Sequence, residues 1–253
     1  LPRGLRRGIM HIAESLPAHR GVNFFVRKGK DLEERFIGNA YMFTPKDRKA
    51  LLKIHTNAPD PMAITKPYYD QVKDQDDVTK MQYLDLHLWM AGDILLKADK
   101  MSMANSLELR VPFLDKEVMA LAQRIPTRYR VIHKPSESGG TPYITKYAMR
   151  LAAKKDTPPQ TAKTAAKKKL GFPVPIRVWL KEDTYYNMVK NTFEGNAAQQ
   201  FFHTEKLVQL LDDHRAGKAD NSRKIWTVYM FLVWYHVYFE SDVIPTKPNV
   251  SCF

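Results

Sequence analysis

Two short segments hold the residues best placed to do chemistry. The first, "KKKLGFPVPIRVWL" from Lys167 to Leu180, sets three lysines before Gly171, Phe172 and two closely spaced prolines. Leu170 and Phe172 are apolar anchors on either side of Gly171, and Pro173 and Pro175 restrict the backbone, so the last lysine, Lys169, should be held where the chain enters its core. A rigidly placed ammonium suits negative charge developing on a phosphate. The second, "DKMSMANSLELRVPFLD" from Asp99 to Asp115, alternates Asp99, Lys100, Glu108 and Arg110 with Met101, Met103, Leu107, Leu109 and Val111. Burying an isolated ion costs several kcal/mol, so these charges are expected to pair with one another. Such pairing could serve a site, or it could be an ion-pair network that orders a bend before Pro112.

Other chemistries find less support. From Lys146 to Lys169 eight cationic residues stand against one acid, Asp156, but Lys154, Lys155 and Lys163 read as a solvated basic face. The histidines lack metal-ligand spacing, and His87 and His236 read as satisfied core histidines on apolar helices. There is no Gly-x-Ser-x-Gly, no Walker loop and no dinucleotide fingerprint. Ser138-Gly139-Gly140 looks like the start of the Ser-Gly-Gly-x-Asp-Ser loop of ATP pyrophosphatases, yet Thr141, Pro142 and Tyr143 follow it, so it reads as a surface turn.

The elements that must position these residues are mostly helices. Leu5, Ile9, Ile12 and Leu16 mark one helix face, stopped by Pro17. Thr44-Pro45-Lys46-Asp47 is an N-terminal capping signature for a helix through Leu51, Leu52 and Ile54. Residues 80–98 are apolar over more than half the helix circumference, as in a central helix packed on several sides. Asp115 should open a helix with Val118, Leu121, Ala122 and Ile125 inward, ending at Pro126. Thr141-Pro142 should open another through Tyr143, Ile144, Tyr147 and Leu151. Lys181-Glu182-Asp183 starts a helix with Tyr186 and Met188 inside, and Thr204 caps one that Gly217 ends. The looser stretches are 57–66, 134–140 and 156–168. Almost nothing alternates at period two, so strands should be few and the chain mainly α.

At 253 residues and 44% hydrophobic content the chain can bury a core, as one domain or two small ones. A formal charge of +13 points to an acidic partner without choosing among nucleotide, nucleic acid, anionic lipid and protein. The single cysteine, Cys252, excludes a disulfide framework or a cysteine-based metal site and suits a reducing, cytoplasmic setting. The start, Leu-Pro-Arg-Gly, carries no methionine and no apolar signal core and reads as a cut boundary. The apolar run 225–239 is shorter than the roughly 20 residues of a membrane span and is expected to be a fully buried helix.

Together, "KADKMSMANSLELRVPFLD" and, about fifty residues later, "KKKLGFPVPIRVWL" resemble the synthetase domain of glutamine-hydrolysing asparagine synthetases. "LPAHRGVNFFVRKG", "RFIGNAYMF" and "IWTVYMFLVWYHVYF" are similar to that family too, so the resemblance spans nearly the whole chain. It implies that residues 1–253 are the helical C-terminal portion of an α/β ATP-pyrophosphatase (adenine nucleotide α-hydrolase-like) domain. The N-terminal glutaminase domain and the Ser-Gly-Gly-x-Asp-Ser pyrophosphate loop would lie upstream. Aspartate, ATP with Mg2+, and ammonia from glutamine are the implied substrates, and neither nucleic acid nor membrane is an implied partner.

By the same resemblance Lys169, three residues before Phe172, is the catalytic lysine that reaches the pyrophosphate, and Lys167 is a second phosphate contact. Met101, Met103, Leu109 and Val111 would line or support the ammonia tunnel. Asp99, Lys100, Glu108 and Arg110 would frame it against the aspartyl-adenylate pocket. Lys100 and Lys167 stand where the family often has arginine, and the two side chains are not interchangeable at a bidentate contact. A fragment of this kind should be inactive alone. It should expose an apolar surface met by the rest of its chain or by self-association as a homodimer. Two other readings are a β-lactam synthetase-like amidoligase on the same scaffold and a non-enzymatic basic helical module, though no stacking pattern or recognition-helix motif favours the latter.

Overall fold

A computed structural model describes residues 1–16, 20–38, 41–54, 57–133, 143–167 and 174–241. The chain divides into two compact units, Leu1–Ala40 with Pro59–Gly171, and Tyr41–Ala58 with Phe172–Phe253. The described residues are mainly helical, with one two-stranded sheet. Lys168, Lys169, the 134–140 stretch, Pro17 and Cys252 lie outside them.

In the first unit, helix Arg3–Glu14 packs on helix Arg20–Gly29. The packed row is Met10 and Ala13, with Val22 opposite, rather than the expected Leu5 to Leu16 face, and Ile12 is 68% exposed. The reason is local. Gly29 has no side chain, so the two helices close until a Cβ at that position would stand 2.3 Å from the Met10 Cβ. The same closure brings Arg7 to Glu34 at 2.8 Å and Arg3 to Asp31.

Asp31 then opens helix Leu32–Arg35, with its backbone amide donating to Glu34 Oε2 at 2.8 Å in a capping box. The core of this unit is small: Leu32, Tyr69 and Leu84 are buried, with Phe36 and Leu88 against them. The Tyr69 hydroxyl donates to the Phe36 carbonyl at 2.7 Å, and burial, reinforced by the charges of Glu33 and Asp85, pushes that hydroxyl up to about 12.

The 57–66 stretch, expected to be loose, enters helix Pro61–Gln71. Proline at the first helical turn gives up an amide that would have no partner anyway, and Asp60 caps the Met62 amide at 2.8 Å. The helix expected over 80–98 runs over 77–103, with its middle, Asp85–Leu95, wound as a π-helix. It is not packed on several sides: Leu84 is its only buried residue, because the small core offers it one short contact.

Asp115 caps helix Lys116–Arg124 as expected, accepting from Glu117 N at 2.8 Å. Val118, Leu121 and Ala122 are exposed rather than inward. The capping chemistry is local, whereas an inward face needs a neighbour that the described residues of this unit do not supply. Tyr143–Thr145 is a strand and not the first turn of a helix, pairing antiparallel with Val131–His133 in the register Ile132↔Ile144. A β-branched and aromatic triplet is claimed by a complementary one nearby. Helix Tyr147–Asp156 starts only after Lys146, whose φ of 56° turns the chain. The 156–168 stretch contains helix Pro159–Ala166, again opened by proline.

The second unit has the larger core, in which Phe193, Leu207, Leu211, Ile225 and Leu232 are almost wholly buried. Helix Pro45–Leu51 is held by the expected capping box: Thr44 N donates to Asp47 Oδ2 at 2.9 Å, and Asp47 N to Thr44 Oγ1 at 3.1 Å. Lys53 N to Phe201 O at 2.9 Å and His203 N to Leu51 O at 2.8 Å fasten the chain beyond it to the end of helix Asn196–Phe201. Helix Asp183–Glu194 buries Val189 and Phe193 while Met188 faces out, and His203, not Thr204, takes the N-cap position of helix Thr204–Arg215. The apolar run 225–239 is half-buried instead of fully buried. Ile225, Val228 and Leu232 of helix Ser222–Tyr235 face the core, while Trp234, Tyr238 and Phe239 are exposed, because the run continues past the core it serves. No helix among the described residues is long and apolar enough to cross a membrane.

Candidate functional site

The Asp99–Asp115 segment is a helix end followed by a ribbon. Helix Leu96–Met103 closes through Asn105 N to Ser102 O at 3.0 Å, Leu107 N to Ser102 O at 2.9 Å and the Asn105 side-chain amide to Met101 O at 2.8 Å. These contacts occupy carbonyls that the helix itself leaves unpaired. Ser106 takes a left-handed φ of 54°, the conformation in which helices commonly end. The chain then runs without regular structure to the turn Pro112–Leu114.

Of the expected ion pairs, Arg110 to Glu108 is present at 2.7 Å, but it lies in solvent, with the two side chains 83% and 73% exposed. Exposed pairs of this kind contribute about 0 to 1 kcal/mol. Asp99 and Lys100 make no ion pair among the described residues. Met101, Met103, Leu109 and Val111 are all exposed. The charged and apolar side chains of the segment are therefore largely exposed, instead of the charges being buried and paired with one another.

The lysine segment begins at the end of helix Pro159–Ala166, where Lys167 N bonds back to Thr164 O at 3.1 Å and Lys167 itself is extended, φ −62° and ψ 153°. Its backbone is held by Arg150, a half-buried residue of the preceding helix. Arg150 Nη1 donates to the Lys167 carbonyl at 3.1 Å and to the Ala165 carbonyl, and Nε donates to the Thr145 carbonyl at 3.0 Å. Lys154, Lys155 and Lys163 are exposed, as a solvated basic face would be. No hydrogen bond or ion pair among the described residues joins Lys167 to the 99–111 segment.

In the second unit, the backbone downstream of the lysine segment has an anchor of its own. His214, 1% exposed, donates from Nε2 to the Arg177 carbonyl at 2.9 Å and accepts at Nδ1 from the Asn221 amide at 3.3 Å. Both ring nitrogens are thus satisfied in the neutral form. Asp220, whose nearest oxygen is 3.7 Å from Nδ1, accepts from the Ser222 hydroxyl at 2.6 Å, and that bond holds its carboxyl below the usual range against the opposing effect of burial. The two histidines expected in the core are both outside it: His87 donates to the Tyr83 carbonyl at 2.8 Å on an exposed face, and exposed His236 lies 3.2 Å from Glu240.

Arg150 and His214 leave no periodic signal in the sequence, because each meets a backbone carbonyl 15 or more residues away. His214 is moreover embedded in the polar run Asp212-Asp213-His214-Arg215. No group of three or more histidines, cysteines or carboxylates among the described residues could hold a metal ion.

The family model described as asparagine synthase matches residues 11–236. Asparagine synthetase [glutamine-hydrolyzing] 1 of Bacillus subtilis is 43% identical over 248 residues, covering 98% of this chain and 37% of the relative. Proteins of Mycobacterium tuberculosis and Mycobacterium bovis, provisionally named asparagine synthetase [glutamine-hydrolyzing], are 38% identical over 252 residues, or 97% of this chain and 36% of theirs. The chain thus spans little more than a third of the length of these relatives. No solved structure matches.

Proposed function

The chain belongs to the asparagine synthase family, and we propose that it is the helical C-terminal part of a synthetase domain that converts aspartate to asparagine. In this reading ATP adenylates the side-chain carboxylate of aspartate with loss of pyrophosphate, and ammonia released from glutamine displaces AMP. The complete domain would have the ATP-pyrophosphatase fold. Its Ser-Gly-Gly-x-Asp-Ser loop and a glutaminase domain would belong to other parts of the full-length protein, working in the cytoplasm. The observation that carries the reading is the pair of segments at 97–115 and 167–180, in that order, inside a chain matched by the family over 11–236.

Lys169 would place its ammonium against charge building on the leaving phosphates. Removing one such preorganised partner typically costs about 3 to 4 kcal/mol in the transition state. Lys167 would add a second positive charge to the same anion. Met101, Met103, Leu109 and Val111, all exposed here, would become the apolar side of an ammonia path once the rest of the domain covers them, with Asp99, Lys100, Glu108 and Arg110 along its polar edge. Mg2+ would arrive with the ATP, and the described residues offer it no ligand set.

Exchange of labelled pyrophosphate into ATP by the full-length protein tests the reading. Aspartate should trigger the exchange, and Lys169→Ala should lower it by about 10²- to 10³-fold. Full exchange with alanine at 169 would remove the lysine from the mechanism. Exchange triggered by another carboxylic acid and not by aspartate would transfer the chain to a different amidoligase reaction.

A further inference from the structure

The side chain that organises the approach to the lysine segment is Arg150. It stands in helix Tyr147–Asp156, and its one guanidinium reaches three carbonyls from separate places: Thr145 at the end of a strand, Ala165 in the last turn of helix Pro159–Ala166, and Lys167 just beyond that helix. The last four carbonyls of a helix have no amide partner within it, and a cation there also meets the negative end of the helix dipole. Planar, fixed N–H directions let arginine serve several acceptors at once, whereas an ammonium is a single point on a flexible stem. The carbonyl at Lys167 is the point where the chain stops being helical and turns extended, so a donor at that carbonyl governs the direction in which the backbone continues.

We propose that Arg150 is a positioning residue for the ligase reaction: by holding the carbonyls of Thr145, Ala165 and Lys167 together, its guanidinium fixes the exit of the chain from helix Pro159–Ala166 and thereby the place at which Lys167 presents its charge to ATP. The proposal rests on the function proposed above for the lysine segment. Arg150 itself would touch no substrate. It acts through the backbone of Lys167, so its loss should weaken the use of ATP and leave the use of aspartate alone.

The test uses the full-length protein with Arg150→Lys and Arg150→Gln, and Lys154→Gln as a solvated control on the same helix. Limited trypsin digestion should cut after Lys167 about tenfold faster in both Arg150 variants than in the wild type or the control, because the local backbone opens more often. In aspartate-dependent exchange of pyrophosphate into ATP, KM for ATP should rise about tenfold with KM for aspartate unchanged, and lysine should do no better than glutamine.

Unchanged cutting after Lys167 would overturn the anchor. Faster cutting with an unchanged KM for ATP would overturn the positioning role. Equal losses for ATP and aspartate, together with a lowered melting temperature, would reduce Arg150 to a general stabiliser and also overturn it. If the wild type shows no aspartate-dependent exchange, the proposed function fails instead, and the digestion still decides the anchor. Should Arg150→Gln fail to fold, Arg150→Lys supports the same comparisons.

Discussion

Asp76 illustrates how a single side chain can bind an element's start to its neighbours. Its carboxylate caps the helix over 77–103 through the Val78 and Thr79 amides at 3.0 and 3.2 Å and accepts from the Thr127 hydroxyl at 2.8 Å. Burial raises its pKa, but hydrogen bonds from Thr79, Thr127 and Val78 outweigh that and lower it from 3.8 to about 2. A carboxylate with a lowered folded-state pKa contributes stability that is present above the unfolded value and is lost as pH falls through the folded one. The stability advantage of wild type over Asp76→Asn should therefore be constant from neutral pH to about 4 and shrink toward pH 2. Urea midpoints across that range check it, and an advantage that persists undiminished at pH 2 would contradict the assignment. Single residues were legible in the sequence where their partners were close along the chain, as with Thr44 and Asp47. Arg150 and His214 were not, because nothing near them in sequence announces the carbonyls they meet.

At the scale of elements, caps were more legible than faces. The Asp115 cap, the Pro126 stop and the Thr44 capping box depend on three or four consecutive residues, and the structure has all of them. The helices at 3–14 and 116–124 have apolar faces that the sequence shows by their periodicity, but periodicity says only that a face is apolar, not that its own unit covers it. Helix Ser222–Tyr235 carries both outcomes. Leu232 is 2% exposed and packs in the second unit's core, while Met230, two residues earlier, faces outward. Leu232→Ala should cost about 2 to 5 kcal/mol of unfolding free energy. Met230→Gln should stay within about 0.5 kcal/mol. Denaturant titration of the two variants gives the comparison, and similar losses for both would mean that this helix is seated differently.

For the molecule as a whole, each of the two units leaves apolar side chains uncovered. Leu107, Phe113 and Leu121 are exposed in the first, and Trp234, Tyr238 and Phe239 in the second. Monomeric proteins seldom leave contiguous apolar patches larger than a few hundred Å². The isolated chain should accordingly bind a hydrophobic dye and self-associate, whereas the full-length protein should do neither to the same extent. Light scattering and dye fluorescence decide it, and a monodisperse, dye-silent chain would contradict the expectation. The mainly helical character and the family were legible from two segments and a scatter of caps. The division into units was not, because Tyr41–Ala58 joins residues far downstream and no local composition marks that return.

The seam between helices Arg3–Glu14 and Arg20–Gly29 bears on how this protein can drift over generations. A methyl group gained at position 29 would stand 2.3 Å from the Met10 Cβ and press on the Arg6 carbonyl, so it could persist only if position 10 became glycine or the two helices moved apart. The two positions are, in effect, inherited as one.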